Sequence, residues 1–175
     1  MLSYNKKYIN KYKRFVECRH EYYVSKDIIW KIISTPSNLE LFHPFCKENK
    51  IIFWSGKASI DQLIYLNGLS LIRKFYSWEE NKGYELFVGK KDAPQSFVNC
   101  ELKSNSLTNG CILSIRVYPH IHNSKKSLIQ MLLFTLYVKP RLKKYLKSVL
   151  LGLNWYILNK KKVPKNLFGK HSWFS

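Results

Sequence analysis

The sequence predicts an α+β domain in which a curved antiparallel sheet of about seven strands wraps around one long C-terminal helix. Two observations indicate this class. Apolar residues alternate with polar ones through most of residues 14–118, and a helical period replaces this alternation from Lys125 to Asn159. Because a sheet with one apolar face and a helix with one apolar stripe must cover each other, the two parts are expected to share a core.

The N-terminal part of the domain is predicted to form a strand followed by two short helices. Arg14 to Val24 alternates apolar and polar residues, which places His20 on the apolar face of the strand. Ser25 to Thr35 reads as a capped helix that Pro36 ends. A second short helix is predicted from Asn38 to Phe42, just before His43.

Six further strands follow, each bounded by turn residues. They are predicted at Lys50–Ser55, Lys57–Leu66, Leu69–Trp78, Tyr84–Lys90, Ser96–Lys103 and Cys111–Tyr118. Asn67-Gly68 is the strongest local signal, because this pair suits the positive φ angles of a type I′ hairpin turn. Such short connections make sequential strands antiparallel neighbours.

The predicted C-terminal helix carries one apolar stripe that includes Leu142, Leu146 and Val149. Pro140 is expected to kink the helix or to divide it in two. The run Leu128–Val138 is apolar on nearly all sides and too short to span a bilayer, which takes about 20 residues. We expect it to be buried against the sheet and the N-terminal extension; an interfacial helix on a membrane is the alternative.

The domain proper is predicted at residues 14–159. Residues 1–13 form a basic N-terminal extension, and residues 160–175 form a basic C-terminal tail that we expect to be loosely attached. The cysteines show no metal-binding or disulfide spacing, and no apolar signal-peptide core is present at the N-terminus. These features favour reduced thiols and a cytoplasmic location, peripheral to a membrane if the basic surface attaches there.

The charge is strongly positive but does not favour a specific nucleic-acid partner. The net charge is +19, and only 5 of the 30 basic residues are arginines. Arginine is the residue preferred for bidentate phosphate and base recognition, whereas lysine is a solvated point charge. Weak contact with an anionic membrane surface is therefore the expected consequence, and a basic adaptor for membrane or RNA is kept as an alternative function.

The architecture itself predicts an internal cavity. One helix cannot fill the whole concave side of a long, twisted sheet, so space is expected between the sheet, the helix and the two short helices. An apolar pocket with a few convergent polar groups is the default binding site of such a fold. The preferred function is therefore binding or transfer of a hydrophobic small molecule or lipid.

Three stretches carry a resemblance to a known superfamily. Tyr22–Trp30 resembles the strand-turn-helix opening of START/Bet v 1-like (SRPBCC) proteins, Ser34–Phe45 resembles their second-helix segment, and Arg141–Tyr156 resembles the end of their long helix. The resemblance covers roughly residues 14–159. It implies the helix-grip fold, and it implies the functions of that superfamily, namely lipid transfer or polyketide cyclisation.

Seven residues are predicted to line the ligand site. They are His20, His43, Arg73, Tyr118, Leu142, Leu146 and Val149. His20 could instead be a core histidine with a hydrogen-bond partner. If Arg73 faces inward, a ligand carboxylate or Glu101 could pair with it; the favoured alternative is an edge-strand arginine whose head reaches water.

Catalytic motifs are missing from the sequence. It has no Ser-His-Asp or Cys-His pattern and no glycine-rich phosphate loop, and no cofactor is expected. His120 and His122 have metal-ligand spacing without a third ligand, so no metal is expected either. The alternative of a cyclase- or dehydratase-like enzyme requires His20, Arg73 and Tyr118 to converge on one cavity for acid–base chemistry.

Overall fold

Within residues 14–121 and 128–175, which the computed structural model describes, seven antiparallel strands form one sheet. The strands are β1 Val16–Tyr22, β2 Cys46–Phe53, β3 Ile60–Tyr65, β4 Ser70–Glu79, β5 Gly83–Gly89, β6 Ser96–Asn105 and β7 Gly110–Tyr118. Their spatial order is β1-β7-β6-β5-β4-β3-β2, so β1 and β2 are the edges. The predicted α+β class and the curved sheet are confirmed.

The helices lie where the sequence predicts them. Helices α1 (Lys26–Ile33) and α2 (Leu39–Phe42) connect β1 to β2. The C-terminal run comprises α3 (Leu128–Leu133), a π-helical turn (Phe134–Val138) and α4 (Lys139–Asn159). Pro140 lies in the first turn of α4, directly after the π-helical turn, and the backbone stays helical at Val138 and Lys139 before it. The predicted start at Lys125 and the extension 1–13 lie outside the described residues.

Helix α4 is fastened to one edge of the sheet by β1. The Tyr22 hydroxyl donates to the carbonyl oxygen of Leu150 at 2.9 Å, and the Cys18 thiol lies 3.6 Å from the carbonyl oxygen of Lys143. At the other end of the contact, a Cβ at Gly152 would overlap the carbonyl oxygen of Phe42. Glycine therefore allows α4 to approach α2 at backbone distance.

The β3–β4 hairpin forms at the predicted place with a different turn. Only Gly68 of the Asn67-Gly68 pair has positive φ, at 84°. The Gly68 N–H donates to the Tyr65 carbonyl oxygen at 3.0 Å, and the Tyr65 N–H donates to the Leu69 carbonyl oxygen at 2.8 Å. The type I′ prediction is therefore wrong, because the loop is longer and needs a left-handed residue only at its end.

The C-terminal tail, residues 160–175, packs on the domain. The Val163 N–H donates to the Leu41 carbonyl oxygen at 2.9 Å, and the Phe174 ring stacks on Tyr65 with ring centroids 4.4 Å apart. Phe174 itself is buried. The expectation of a loosely attached tail is wrong. The tail begins with lysines, but the aromatic residues at its end pack on core residues.

The apolar run Leu128–Val138 is mostly exposed, contrary to the expectation of burial. Leu128, Ile129 and Leu136 are 74%, 69% and 72% exposed, whereas Phe134 and Val138 are buried. Only one side of the run therefore contacts the domain. None of the described helices is long and apolar enough to cross a bilayer.

Replacing Gly152 by alanine is expected to destabilise the fold by about 1–3 kcal/mol, because the added methyl group forces α4 away from the Phe42 carbonyl. This cost outweighs the gain in helix propensity of about 1 kcal/mol. Urea unfolding followed by circular dichroism measures the change. The matched control is Leu158→Ala, an exposed position on the same helix, and an equal or smaller loss at Gly152 would contradict the close approach.

Candidate functional site

A cavity of about 610 Å³ lies between the concave face of the sheet and α4. This volume falls within the range of small-molecule binding sites. The cavity reaches from α1 and α2 at one end to the β5–β6 turn and the π-helical turn at the other. The predicted gap between sheet and helix is therefore present.

The walls of the cavity are predominantly apolar. Alternate residues of the central strands face inward. Each of β4 to β7 contributes apolar lining residues, for example, in that order, Leu71, Leu86, Val98 and Ile115. The helix side includes the three apolar positions named from the sequence, Leu142, Leu146 and Val149. All three line the cavity, and their contact with a ligand stays a prediction.

The cavity opens to solvent at the end that faces the π-helical turn. Lys90 and Pro94 of the β5–β6 turn are exposed there, and so are Ile121 and Tyr137, which line the same opening. The opposite end is closed by the buried side chains of Ile33 in α1 and of Leu39 and Phe42 in α2. A guest would therefore enter from the Tyr137 side. We call this opening the mouth.

Arg73 lines the cavity and is buried, but its charge is already paired. Its Nε donates to Asp61 Oδ1 at 2.7 Å, and a second nitrogen bonds Asp61 Oδ2. Burial alone would favour the neutral guanidine; the carboxylate outweighs it and raises the pKa of Arg73. The favoured expectation of an edge arginine reaching water is wrong, and so is the suggested partner Glu101, which lies beside Lys103.

The partner Asp61 was missed because the pairing depends on the length of the β3–β4 loop. Asp61 and Arg73 are directly opposite each other in the β3–β4 register. Each lies six positions from Asn67, at the centre of the observed loop, whereas the predicted two-residue turn at Asn67-Gly68 would have placed Gln62 opposite Arg73. Opposite charges on facing strands form cross-strand pairs, and this one follows only from the observed register.

His43 joins two tyrosines in a hydrogen-bonded chain on the cavity wall. Its Nδ1 accepts from the Phe45 N–H at 3.2 Å, so the neutral ring carries its proton on Nε2. That proton is donated to the Tyr145 hydroxyl at 2.8 Å, and Tyr145 lies 3.0 Å from the Tyr65 hydroxyl. The sequence prediction of the site included His43 but neither tyrosine, although Tyr145 lies three residues after Leu142 on the predicted stripe of the helix.

The hydrogen-bonded side chains of His43, Tyr145 and Tyr65 are uncharged near neutral pH. Burial lowers the pKa of His43 to about 3 and raises the pKa of Tyr145 to about 12. Burial likewise raises the pKa of Tyr65 well above its usual value. Because Arg73 and Asp61 neutralise each other, the buried polar part of the cavity wall carries no net charge.

His20 and Tyr118 do not line the cavity. His20 lies in a separate groove with Glu17 and Lys147. Because β1 packs directly against α4, the main cavity does not extend between them. Tyr118 follows the inward-facing Val117 and so points to the opposite face of the sheet. There its ring centroid lies 5.8 Å from that of Phe97. Both placements correct the sequence prediction.

The proposed catalytic trio is therefore separated. His20, Arg73 and Tyr118 lie in a side groove, in the cavity and on the convex face, so they cannot act on one substrate. His120 lies at the mouth, where its Nδ1 is 3.0 Å from the Ser96 hydroxyl, and His122 lies outside the described residues. The acid–base mechanism built on the trio is wrong.

No protein-family model and no curated protein matches the sequence. Solved structures do match. A START superfamily protein from Mycobacterium smegmatis superposes with a TM-score of 0.65 at 15% identity, over 85% of this chain and 100% of that one. The Bet v 1-type allergen Ara h 8.0201 gives a TM-score of 0.62 at 12% identity, over 83% of this chain and 97% of that one.

DynU16, a putative protein in the dynemicin biosynthetic locus, gives a TM-score of 0.66 at 10% identity and covers 88% of this chain. The present chain spans about half of DynU16, namely 51%. At these identities the likeness establishes the fold. The chain has the helix-grip fold of START and Bet v 1-like proteins, as the sequence resemblance implied.

Removing one partner of the buried ion pair is expected to cost much more than removing both. Asp61→Leu leaves the Arg73 charge unpaired and should destabilise the protein by about 3–5 kcal/mol. Asp61→Leu with Arg73→Met replaces the pair by apolar side chains and should recover most of that loss. Urea unfolding of the two variants is the measurement, and a double variant no more stable than the single one would contradict the pairing.

Stability is expected to fall as pH falls below 6.5, because the unfolded chain then protonates His43 while the folded chain, with a pKa of about 3, does not. Between pH 7 and pH 5 the loss due to this residue should be about 2 kcal/mol. Urea unfolding at both values measures it. His43→Gln should flatten the dependence more than His120→Gln, a half-buried control, and equal slopes in both variants would contradict burial of a neutral His43.

Proposed function

We propose that the chain binds, and can transfer, a hydrophobic small molecule or lipid in the cavity between the sheet and α4. The observation that carries the proposal is the combination of a volume of about 610 Å³ with mostly apolar walls. Apolar surface enters such a space favourably, since burial stabilises by about 25 cal/mol per Å². The superfamily resemblance supports the same class of ligand.

The polar wall favours a guest with one uncharged oxygen. Tyr65 and Tyr145 have two hydroxyl hydrogens, one of which serves the bond between them, while His43 donates its own proton to Tyr145. One hydroxyl hydrogen is therefore left to donate to a further acceptor. A ligand carbonyl or hydroxyl matches this group, whereas a carboxylate would find Arg73 already neutralised by Asp61.

The mouth supports exchange of the guest with the surroundings. Helix α4 closes the cavity along its length, but Tyr137, Pro94 and Ile121 at the opening belong to exposed segments that meet across it. A ligand can leave past these side chains without unfolding of the sheet. This arrangement favours a carrier over permanent storage of a structural ligand.

Two alternative functions have less support. The three residues proposed for cyclase-like chemistry do not converge on the cavity. The hydrogen-bonded His43 and Tyr145 stay uncharged near neutral pH. The basic adaptor for RNA rests on the net charge of +19 alone. Weak contact with an anionic membrane rests on the same charge and stays a proposal.

Uptake of a neutral fluorescent apolar probe, N-phenyl-1-naphthylamine, tests the proposal. We expect saturable binding by the purified protein, with probe fluorescence rising as water is excluded. Leu146→Trp places an indole ring in the cavity and should weaken binding roughly tenfold or more, because the guest loses apolar contact area.

The matched control is Leu158→Trp, at an exposed position of the same helix, which should leave probe binding unchanged. Native mass spectrometry of the wild type should also detect an apolar molecule carried through purification. An absence of saturable uptake in the wild type, or equal losses in both tryptophan variants, would contradict ligand binding in the cavity.

A further inference from the structure

The outward side of α3 and the π-helical turn is a contiguous apolar surface. Its members occur at helical spacing on the side opposite the buried Phe134 and Val138, and all are exposed. We call this surface the apolar ridge; it comprises Leu128, Ile129, Leu132, Leu133 and Leu136. Soluble proteins rarely expose apolar patches of such extent without a partner for them.

The apolar ridge borders the mouth of the cavity. Leu136 directly precedes Tyr137, an exposed residue that lines the mouth, and Ile121 is a further exposed apolar residue on its rim. A partner that covers the ridge would therefore lie against the opening through which a ligand enters.

Positive charges lie at the C-terminal end of the ridge and beside the mouth. Lys139 and Arg141 follow the ridge along the chain, and the Arg141 guanidinium lies 3.7 Å from the centre of the Tyr137 ring. Lys90 and Lys91 are exposed in the β5–β6 turn, where Asp92 offsets one of their charges. Apolar side chains flanked by basic ones match the interface of an anionic bilayer, whose headgroups attract lysine and arginine.

We infer that the apolar ridge docks this chain on an anionic lipid bilayer with the mouth of the cavity against the membrane. The leucines would enter the acyl boundary while Lys139 and Arg141 remain among the headgroups. A second copy of the chain fits less well, because its own ridge segment, residues 128–141, has no acidic side chain to pair with Lys139 and Arg141. This attachment goes beyond ligand binding and does not require it.

Flotation of the full chain with vesicles tests the inference. We expect binding to vesicles of phosphatidylcholine with phosphatidylserine, weaker binding to phosphatidylcholine alone, and loss of the difference at high salt. Leu132→Ser with Leu136→Ser should reduce binding to the anionic vesicles roughly tenfold or more, since two apolar side chains leave the interface.

The matched control is Leu107→Ser with Leu158→Ser, two exposed leucines away from the ridge, which should bind vesicles like the wild type. Uptake of N-phenyl-1-naphthylamine by the ridge variant should be retained, which separates a failure of docking from a failure of ligand binding. The inference is overturned if the wild type does not float, if both variants lose binding equally, or if size-exclusion chromatography shows a wild-type dimer that the ridge variant dissociates and that ignores vesicles.

Discussion

The structure depends on a difference in width, because one helix is narrower than the concave face of a seven-stranded sheet. Along β1 the two are in direct contact, because the Tyr22 hydroxyl and the Cys18 thiol reach backbone carbonyls of α4. Across β3 to β7 the sheet curves away, and apolar side chains from both sides face a common space instead of each other. The cavity therefore follows from the geometry of the fold, and the tail fills part of it with Phe174.

The buried polar groups on the cavity wall are paired with one another. Asp61 holds Arg73 in a two-point contact, and His43 donates its proton to Tyr145, whose hydroxyl is hydrogen-bonded to that of Tyr65. An unpaired charge in this space would carry a large desolvation penalty. A ligand of the proposed class would therefore be distinguished by its shape and by one hydrogen bond, and its affinity would come from apolar contact.

Periodicity and turn residues were sufficient to predict the class of fold, the strand order from β2 to β7 and the helix stripe of Leu142, Leu146 and Val149. They were insufficient where the outcome depends on a neighbour distant in sequence. Tyr118 was placed inward although Val117 beside it occupies that face. The aromatic end of the tail packs near Tyr65, which no local pattern indicates. Asp61 was missed for a local reason, because the predicted two-residue turn shifts the hairpin register by one residue and places Gln62 opposite Arg73.

The space between β3–β7 and α4 has mostly apolar walls, and we expect it to be accessible and to persist in solution. A crystal structure determined under xenon pressure tests this most directly, since xenon occupies apolar cavities without requiring a specific ligand. We expect xenon sites bordered by Leu86, Val98 and Leu146 in the middle of the domain. A closed interior, with those side chains in mutual contact and no xenon between them, would contradict it.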